Sequence, residues 1–125
     1  MTKSNREIAD RLVELCKAGD DSRTLDELYH PDAVSVEAMD MPGMEGRETK
    51  GLAGIRAKHD WWNSAMEMHS ASVEGPFPHG EDRFAVIFEM DVTERATGQR
   101  TQSREVGIYH TANGQITREE FFYSM

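Results

Sequence analysis

From Arg83 to Glu94 the chain alternates. Phe84, Val86, Phe88, Met90 and Val92 take every second place, and Ala85, Ile87, Glu89, Asp91 and Thr93 fill the places between. Successive side chains of a strand point to opposite faces, so this pattern predicts a strand with one wholly apolar face. Such a face has to be covered by something else in the chain. Three further stretches read as strands, at 70–78, 100–111 and 115–124. Turn signals divide them: Pro78-His79-Gly80-Glu81-Asp82, Ala96-Thr97-Gly98-Gln99 and Asn113-Gly114.

The first half has a helical period and supplies the cover. Ser4 and Glu7 stand at capping-box spacing, and Ile8, Leu12, Leu15 and Cys16 follow at helical intervals until Gly19. Asp20, Asp21 and Ser22 offer caps for a short second helix through Leu25, Leu28 and Tyr29, which ends before Pro31. The segment from Ala33 to Glu37 reads as a short strand, and 39–46 as a loop. A longer helix is predicted from about Thr49 to Met68, with Leu52, Ile55, His59, Trp62 and Met66 on one face. Trp61, Ala65 and Met68 flank that stripe. The order α-α-β-α-β-β-β-β, helices first and an antiparallel meander after, predicts an α+β domain in which a curved sheet wraps the third helix.

At 125 residues the chain suits a single domain over 1–125. Its 23 Asp+Glu against 14 Lys+Arg give a formal charge of −9, which argues against nucleic acid or anionic membrane as a partner. No apolar run approaches the roughly 20 residues of a membrane span, and the first residues lack the apolar stretch of a secretory signal. One cysteine, Cys16, forms no intrachain disulfide, and the natural expectation is a cytoplasmic protein. Cys16 on an apolar helix stripe reads as an inert thiol. The five histidines show no metal-ligand spacing, no glycine-rich loop follows a strand, and no Gly-x-Ser-x-Gly element occurs. No metal and no organic cofactor is implied.

The block Leu28-Tyr29-His30-Pro31-Asp32-Ala33-Val34-Ser35-Val36-Glu37 follows a helix ending in Lys17-Ala18-Gly19-Asp20 and resembles the opening of NTF2-like cone folds. The ketosteroid isomerases and SnoaL-like polyketide cyclases are such folds. The closing segment Asn113-Gly114-Gln115-Ile116-Thr117-Arg118-Glu119-Glu120-Phe121-Phe122-Tyr123 resembles the last hairpin of SnoaL-like proteins. In element order the resemblance spans nearly the whole chain. It implies a cone with a pocket and often a homodimer, but its members include isomerases, cyclases, hydrolases and pure binding modules, so it does not specify a reaction.

A two-residue type I′ turn at Asn113-Gly114 would pair Ala112 with Gln115 and Ile108 with Glu119. Arg104, Val106, Ile108, Glu119, Phe121 and Tyr123 would then share the concave face with Phe84, Val86, Phe88 and Met90. A one-residue slip at the Ala96–Gln99 turn would exchange Phe88 and Met90 for Glu89 and Asp91, and the apolar alternation argues for the former pair. Glu119 among these neighbours must be paired, with Arg104 or another cation near the rim, or neutralised, or else functional.

Glu37 falls on the position that holds the catalytic base aspartate in ketosteroid isomerases, so the resemblance implies a base there; the alternative is a solvated strand end. The partner groups of that isomerase site are missing, because Leu12 and Val106 fall where its hydrogen-bond donors belong. His59 is either a core histidine or an acid–base group facing Glu37 or Glu119. Tyr29 reads as a helix-end core residue and Tyr123 as a phenol available to a substrate. Trp62, Met66, Phe88, Met90, Val106, Ile108, Phe121 and Tyr123 would line the pocket. The other sheet face, with Ile87, Tyr109 and Phe122 among Glu89, Asp91, Glu105, Arg118 and Glu120, has no helix left to cover it and suits a homodimer. Two functions remain. One is acid–base catalysis on a small apolar, oxygenated substrate by Glu37, His59 and Glu119. The other is ligand or partner binding without catalysis.

Overall fold

The computed structural model describes residues 2–40 and 46–124. Helix α1 (Asn5–Lys17) and helix α2 (Asp21–Leu28) come first, followed by strands β1 (Tyr29–Val36) and β2 (Glu48–Lys50). Helix α3 (Leu52–Ala65) leads into four long strands, β3 (Met66–His79), β4 (Arg83–Glu94), β5 (Arg100–Ala112) and β6 (Gln115–Phe122). The six strands form one sheet in the order β2-β1-β6-β5-β4-β3, curved around the helices, so the architecture is the α+β cone.

Local chemistry explains the ends of α1. The Ser4 hydroxyl accepts from the Glu7 N–H at 3.1 Å and the Ser4 N–H donates to Glu7 Oε1 at 3.0 Å, a complete capping box. Gly19, at φ +75°, turns the chain so that the Asp20 N–H reaches the Leu15 carbonyl at 2.9 Å. Asn5 then ties the helix to the sheet. Its Nδ2 donates to the Arg83 carbonyl at 2.7 Å and the Gly80 carbonyl at 3.3 Å, while its Oδ1 accepts from the Thr111 hydroxyl at 2.9 Å. The core is Ile8, Leu12, Leu25, Leu28, Ile55, Phe84, Val86, Tyr109 and Ile116, each at most 3% exposed.

Several expectations need correction. Residues 48–50 are a strand paired with β1, so α3 begins after Gly51 rather than at Thr49. That helix also stops at Ala65, and Met66 belongs to β3, opposite Glu94, instead of the helix stripe. The buried positions of α3 are Ile55 and Lys58, so the apolar spacing missed the helix's innermost polar residue. Strand β1 starts at Tyr29 and runs through Pro31, whose missing N–H coincides with an irregularity in the β1–β6 pairing between Tyr29 and Val34. The loop expected at 39–46 lies largely outside the described residues.

The consequential correction is in the last hairpin. Asn113 and Gly114 both have positive φ and Ala112 pairs with Gln115, as a type I′ turn requires. Beyond the turn, however, Thr111 pairs with Ile116 and His110 with Arg118, leaving Thr117 as an extra residue. This β-bulge shifts every later pair by one. Glu119 therefore opposes Tyr109 rather than Ile108, and Phe121 opposes Gly107. Glu105, Gly107 and Tyr109 face the concave side, while Arg104, Val106 and Ile108 move to the convex side beside Glu120 and Phe122. In β4, Phe88 and Met90 stand on the concave face, in register with Glu105 and Ser103.

Candidate functional site

The concave face is built in rows across the strands. At the floor, Ser35 of β1, Glu119 of β6, Tyr109 of β5 and Phe84 of β4 stand side by side, all at most 3% exposed. The next row holds Phe121, Gly107 and Val86, and the row above it Glu105 and Phe88. Towards the mouth burial decreases: Glu105, Phe121, Phe88, Met90 and Tyr123 are half-buried. Helix α3 lies across this face and contributes the buried Ile55 and Lys58 and the half-buried Trp62.

Aromatic rings form the wall. Tyr109 stacks on Phe84 with centroids 5.0 Å apart and meets Phe121 edge-on at 6.3 Å. Gly107 makes this arrangement fit. A Cβ there would come within 3.0 Å of the Tyr109 ring, 3.2 Å of Phe88 and 3.3 Å of Phe121.

Lys58 is the central cation. Its Nζ donates to the Ser35 hydroxyl and, at 2.8 Å, to Glu37 Oε1, and it lies 5.6 Å from the centroid of the Phe121 ring. Glu37 is held from its other side by the Tyr123 hydroxyl, which donates to Oε2 at 3.0 Å. Burial, and then the Glu37 charge, raises the Tyr123 phenol pKa. Glu37 is thus a nearly buried, paired carboxylate with both oxygens engaged.

Glu119 lies on the floor, and its partner is Tyr29, whose hydroxyl donates to Oε2. Its Oε1 is buried with no hydrogen-bond donor among the described residues. Burial raises its pKa, against the opposing pull of the Tyr29 hydroxyl, Lys58, His59 and the hydroxyl of Ser35 beside it. The expected Arg104 pairing does not occur, because Arg104 projects from the convex face to Glu89 and Glu74. Tyr29 is therefore both a core residue and the hydrogen-bond donor to Glu119.

Glu105 is the residue that sequence reasoning missed. Burial, reinforced by the Glu37 and Glu119 charges and opposed by Lys58, pushes its carboxyl up to about 7. It makes no side-chain hydrogen bond or ion pair among the described residues. A carboxyl titrating near neutrality beside the Phe88 ring of the concave face can both give and take a proton at physiological pH. Tyr109 carried the signal. Setting the large Tyr109, not Val106 and Ile108, on the inner face would have brought Glu105 inward with it. Lys58 was also legible, since it lies three residues after Ile55 and four before Trp62.

Of the other expected site residues, His59 is half-buried with its Nδ1 lacking a hydrogen-bond partner and lying 4.0 Å from Asp21 Oδ2; it bonds neither glutamate. Phe88 and Met90 of β4, Phe121 of β6 and Tyr123 just beyond it are on the concave face, Trp62 is half-buried on α3, Met66 stands in β3 opposite Glu94, and Val106 and Ile108 are on the opposite face of the sheet.

Three helices and a six-stranded curved sheet are the architecture of the NTF2-like class. The profile of the SnoaL-like domain matches residues 3–123, and the chain belongs to that family. A crystal structure from Mesorhizobium loti, described both as a SnoaL-like polyketide cyclase and as a carbohydrate phosphatase, is 42% identical with a TM-score of 0.88, and the match covers 94% of this chain and 97% of that one. An NTF2-like protein from Burkholderia thailandensis superposes with a TM-score of 0.79 at 14% identity, over 98% of this chain and 92% of that one. A computationally designed binder of 17-OHP superposes with a TM-score of 0.73 at 22% identity, over 98% and 95%. These last two share the fold alone. No functionally curated protein matches the sequence.

Proposed function

We propose that the concave cleft binds a small apolar, oxygenated molecule and transfers a proton on it, with Glu105 as the proton carrier. The observation that carries this reading is Glu105 itself, an unpaired carboxyl held near neutrality beside Phe88 at the mouth. Glu37, the base implied by resemblance to the isomerases, is engaged by Lys58 and Tyr123 and serves to fix the site's charge and shape. Glu119 and Tyr29 act as a buried proton-sharing pair beneath the ligand, and His59 influences Glu119 through space. The description of the Mesorhizobium loti relative as a polyketide cyclase supports a substrate with an acidic C–H beside a carbonyl.

The test begins with native mass spectrometry of the purified protein to identify a bound small molecule. That molecule is then incubated in D2O with wild type and with Glu105→Gln. The expected result is enzyme-dependent deuterium uptake next to a carbonyl, slowed about 100-fold or more in the variant. Uptake no faster than in buffer, or uptake indifferent to the substitution, refutes proton transfer by Glu105. Binding without turnover is the second reading, favoured by the engagement of both Glu37 oxygens, and the first of those outcomes would support it.

We propose in addition that the convex face joins two copies. Phe77 and Phe122 are 47% and 54% exposed there, beside the half-buried Ile87, Val106 and Ile108. The charges of this face are paired within the chain: Arg118 with Glu120, Arg104 with Glu89 and Arg100 with Asp91. A largely neutralised apolar face is what a homodimer buries. Sedimentation should give a dimer that Phe122→Glu dissociates; a monomeric wild type at micromolar concentration refutes it. No described helix is long and apolar enough to cross a membrane. A cytoplasmic setting is part of this proposal, in keeping with a lone Cys16 thiol that burial pushes up to about 12.

A further inference from the structure

Glu119 is fully buried, yet it has to exchange a proton if it is to share one with Tyr29. A proton crosses a protein interior along groups that can hydrogen-bond one another, so its route can be traced from the contacts. Tyr29 offers no way out, because it is buried itself and its hydroxyl bonds only Glu119 among the described residues. His59 offers none either, since its buried Nδ1 has no hydrogen-bond partner there. Ser35, also fully buried, stands directly beside Glu119 across the β1–β6 pairing. Alternate residues of a strand share a face, so Ser35-Val36-Glu37 sets a hydroxyl and a carboxylate on the concave side. Lys58 spans the gap between them, its Nζ donating to the Ser35 hydroxyl and, at 2.8 Å, to Glu37 Oε1. The Ser35 hydroxyl accepts in that contact and makes no other side-chain hydrogen bond among the described residues. Its own proton is therefore free for Glu119, whose buried Oε1 has no donor. Both Ser35 and Lys58 favour the ionised form of Glu119, as neighbours in such a chain must.

We propose that Ser35 and Lys58 form a proton relay that joins Glu37, at its outer end, to the buried Glu119, with the Ser35 hydroxyl as the closing link. A proton taken up by Glu37 from solvent passes inward in three linked steps. A Lys58 N–H bond breaks as an O–H bond forms at Ser35. The original Ser35 O–H bond breaks as one forms on Glu119. The Lys58 amine then recovers a proton from the Glu37 carboxyl. Glu119 ends protonated and Glu37 ionised, while Lys58 and Ser35 finish as they began. Glu37 suits the outer end because its side chain keeps 12% exposure against 8% for Lys58, and Tyr123, half-buried, holds its second oxygen. The other titratable groups acting on or feeling Glu119 are Cys16, His59, Glu105 and Tyr109, and none of them bonds Ser35 or Lys58 among the described residues. The inference rests on the pairing of Glu119 with Tyr29 in the proposed function, and it needs neither a ligand nor Glu105.

The experiment follows the carboxylic C=O stretch of Glu119 by time-resolved infrared spectroscopy after a laser-released pulse of protons. The band is assigned by its loss in Glu119→Gln, and its titration is first located between about pH 4 and about pH 9. In wild type the band should rise after the pulse, and more slowly in D2O than in H2O. Ser35→Ala should slow the rise about tenfold or more, the effect of losing roughly one hydrogen bond from the path, while the band still reaches full size in acid. Ser35→Thr keeps the hydroxyl on a side chain suited to a strand and should restore the rate. A rise that Ser35→Ala leaves unchanged would overturn the route through Ser35, and so would equal slowing in the Ala and Thr variants. A wild-type rate indifferent to D2O would mean that opening of the fold admits the proton, which overturns the relay without recourse to any variant. A Glu119 band that does not change across the whole pH range would remove the Glu119–Tyr29 proton pair and the relay together. Deuterium uptake through Glu105 reads a different proton, so failure of that reading leaves this one standing.

Discussion

Replacing Glu105 by Gln should stabilise the protein, and only at neutral and alkaline pH. In the folded chain this carboxyl titrates at about 7 instead of the ordinary 4.5. Between those values the native state keeps a proton that the unfolded chain has already released, so stability falls as the pH rises through that window. Below about 4.5 both states are protonated and Glu105 contributes nothing; above about 7 its penalty is complete. A displacement of that size corresponds to about 3 kcal/mol, and the partial exposure of the side chain reduces this to ~1–3 kcal/mol. Glutamine keeps the shape and cannot ionise. Urea unfolding followed by the fluorescence of Trp61 and Trp62 should give equal stabilities for the two proteins near pH 4.5, and a variant more stable by ~1–3 kcal/mol near pH 8. Taking the difference at each pH cancels the groups that do not act on Glu105, such as Glu27, Asp91 and Glu120 with their lowered pKa values, and leaves Glu105 with the Glu37 and Glu119 charges that act on it. A difference that stays flat with pH refutes the assignment. A variant that becomes relatively less stable as the pH rises would mean that a cation holds Glu105 ionised.

Three further outcomes follow from the same contacts. Lys58→Met strands the nearly buried Glu37 without its cation and should cost about 3–5 kcal/mol in urea unfolding, with Glu37→Gln in the same chain recovering part of the loss; additive losses would show that the pair is not coupled. Asn5→Ala leaves the Arg83 and Gly80 carbonyls and the Thr111 hydroxyl without their partner, and should lower stability by ~2–3 kcal/mol, read as a melting point lower by roughly 10 °C. Gly107→Ala drives a methyl into three aromatic rings and should cost ~1–3 kcal/mol in urea unfolding, and a variant as stable as wild type would show that the rings are not packed against this position.

How much was legible in the sequence depends on how local each signal was. The capping box at Ser4, the type I′ turn at Asn113-Gly114 and the bounds of Arg83–Glu94 are set by neighbouring residues, and all three stand in the structure. Strand β2 did not announce itself, because Glu48-Thr49-Lys50 has no apolar pattern and exists through its pairing with β1. Helix α3 was overextended because Met66 and Met68 continue a helical spacing in a segment whose partner across the sheet, β4, imposes a strand. On the concave face, Glu119 and Phe121 follow from counting along the last strand, and Glu37 was pointed to by the resemblance to the isomerases rather than by its own surroundings. Lys58 was passed over because a charged residue between apolar ones reads as solvated until the Ser35 hydroxyl and the Glu37 carboxylate are seen to meet it.

The bulge at Thr117 shows why a site can be misread when its fold is not. Without it, the regular ladder from Asn113-Gly114 would bring Val106 and Ile108 inward, giving a greasy cleft whose single unpaired acid is Glu119. With one residue added, the inward positions of β5 become Glu105, Gly107 and Tyr109. The exchange removes two aliphatic side chains from the cleft and installs an acid, a space and a phenol ring. The space at Gly107 admits the rings of Phe88 and Phe121, and those rings help to desolvate Glu105 and so bring its pKa near neutrality. Val106 and Ile108, displaced to the convex side, enlarge the apolar face there beside Phe122. The extra residue therefore accounts at once for the chemistry of the cleft and for the hydrophobicity of the outer surface, and no feature of Thr117 itself distinguishes it in the sequence as the residue left unpaired.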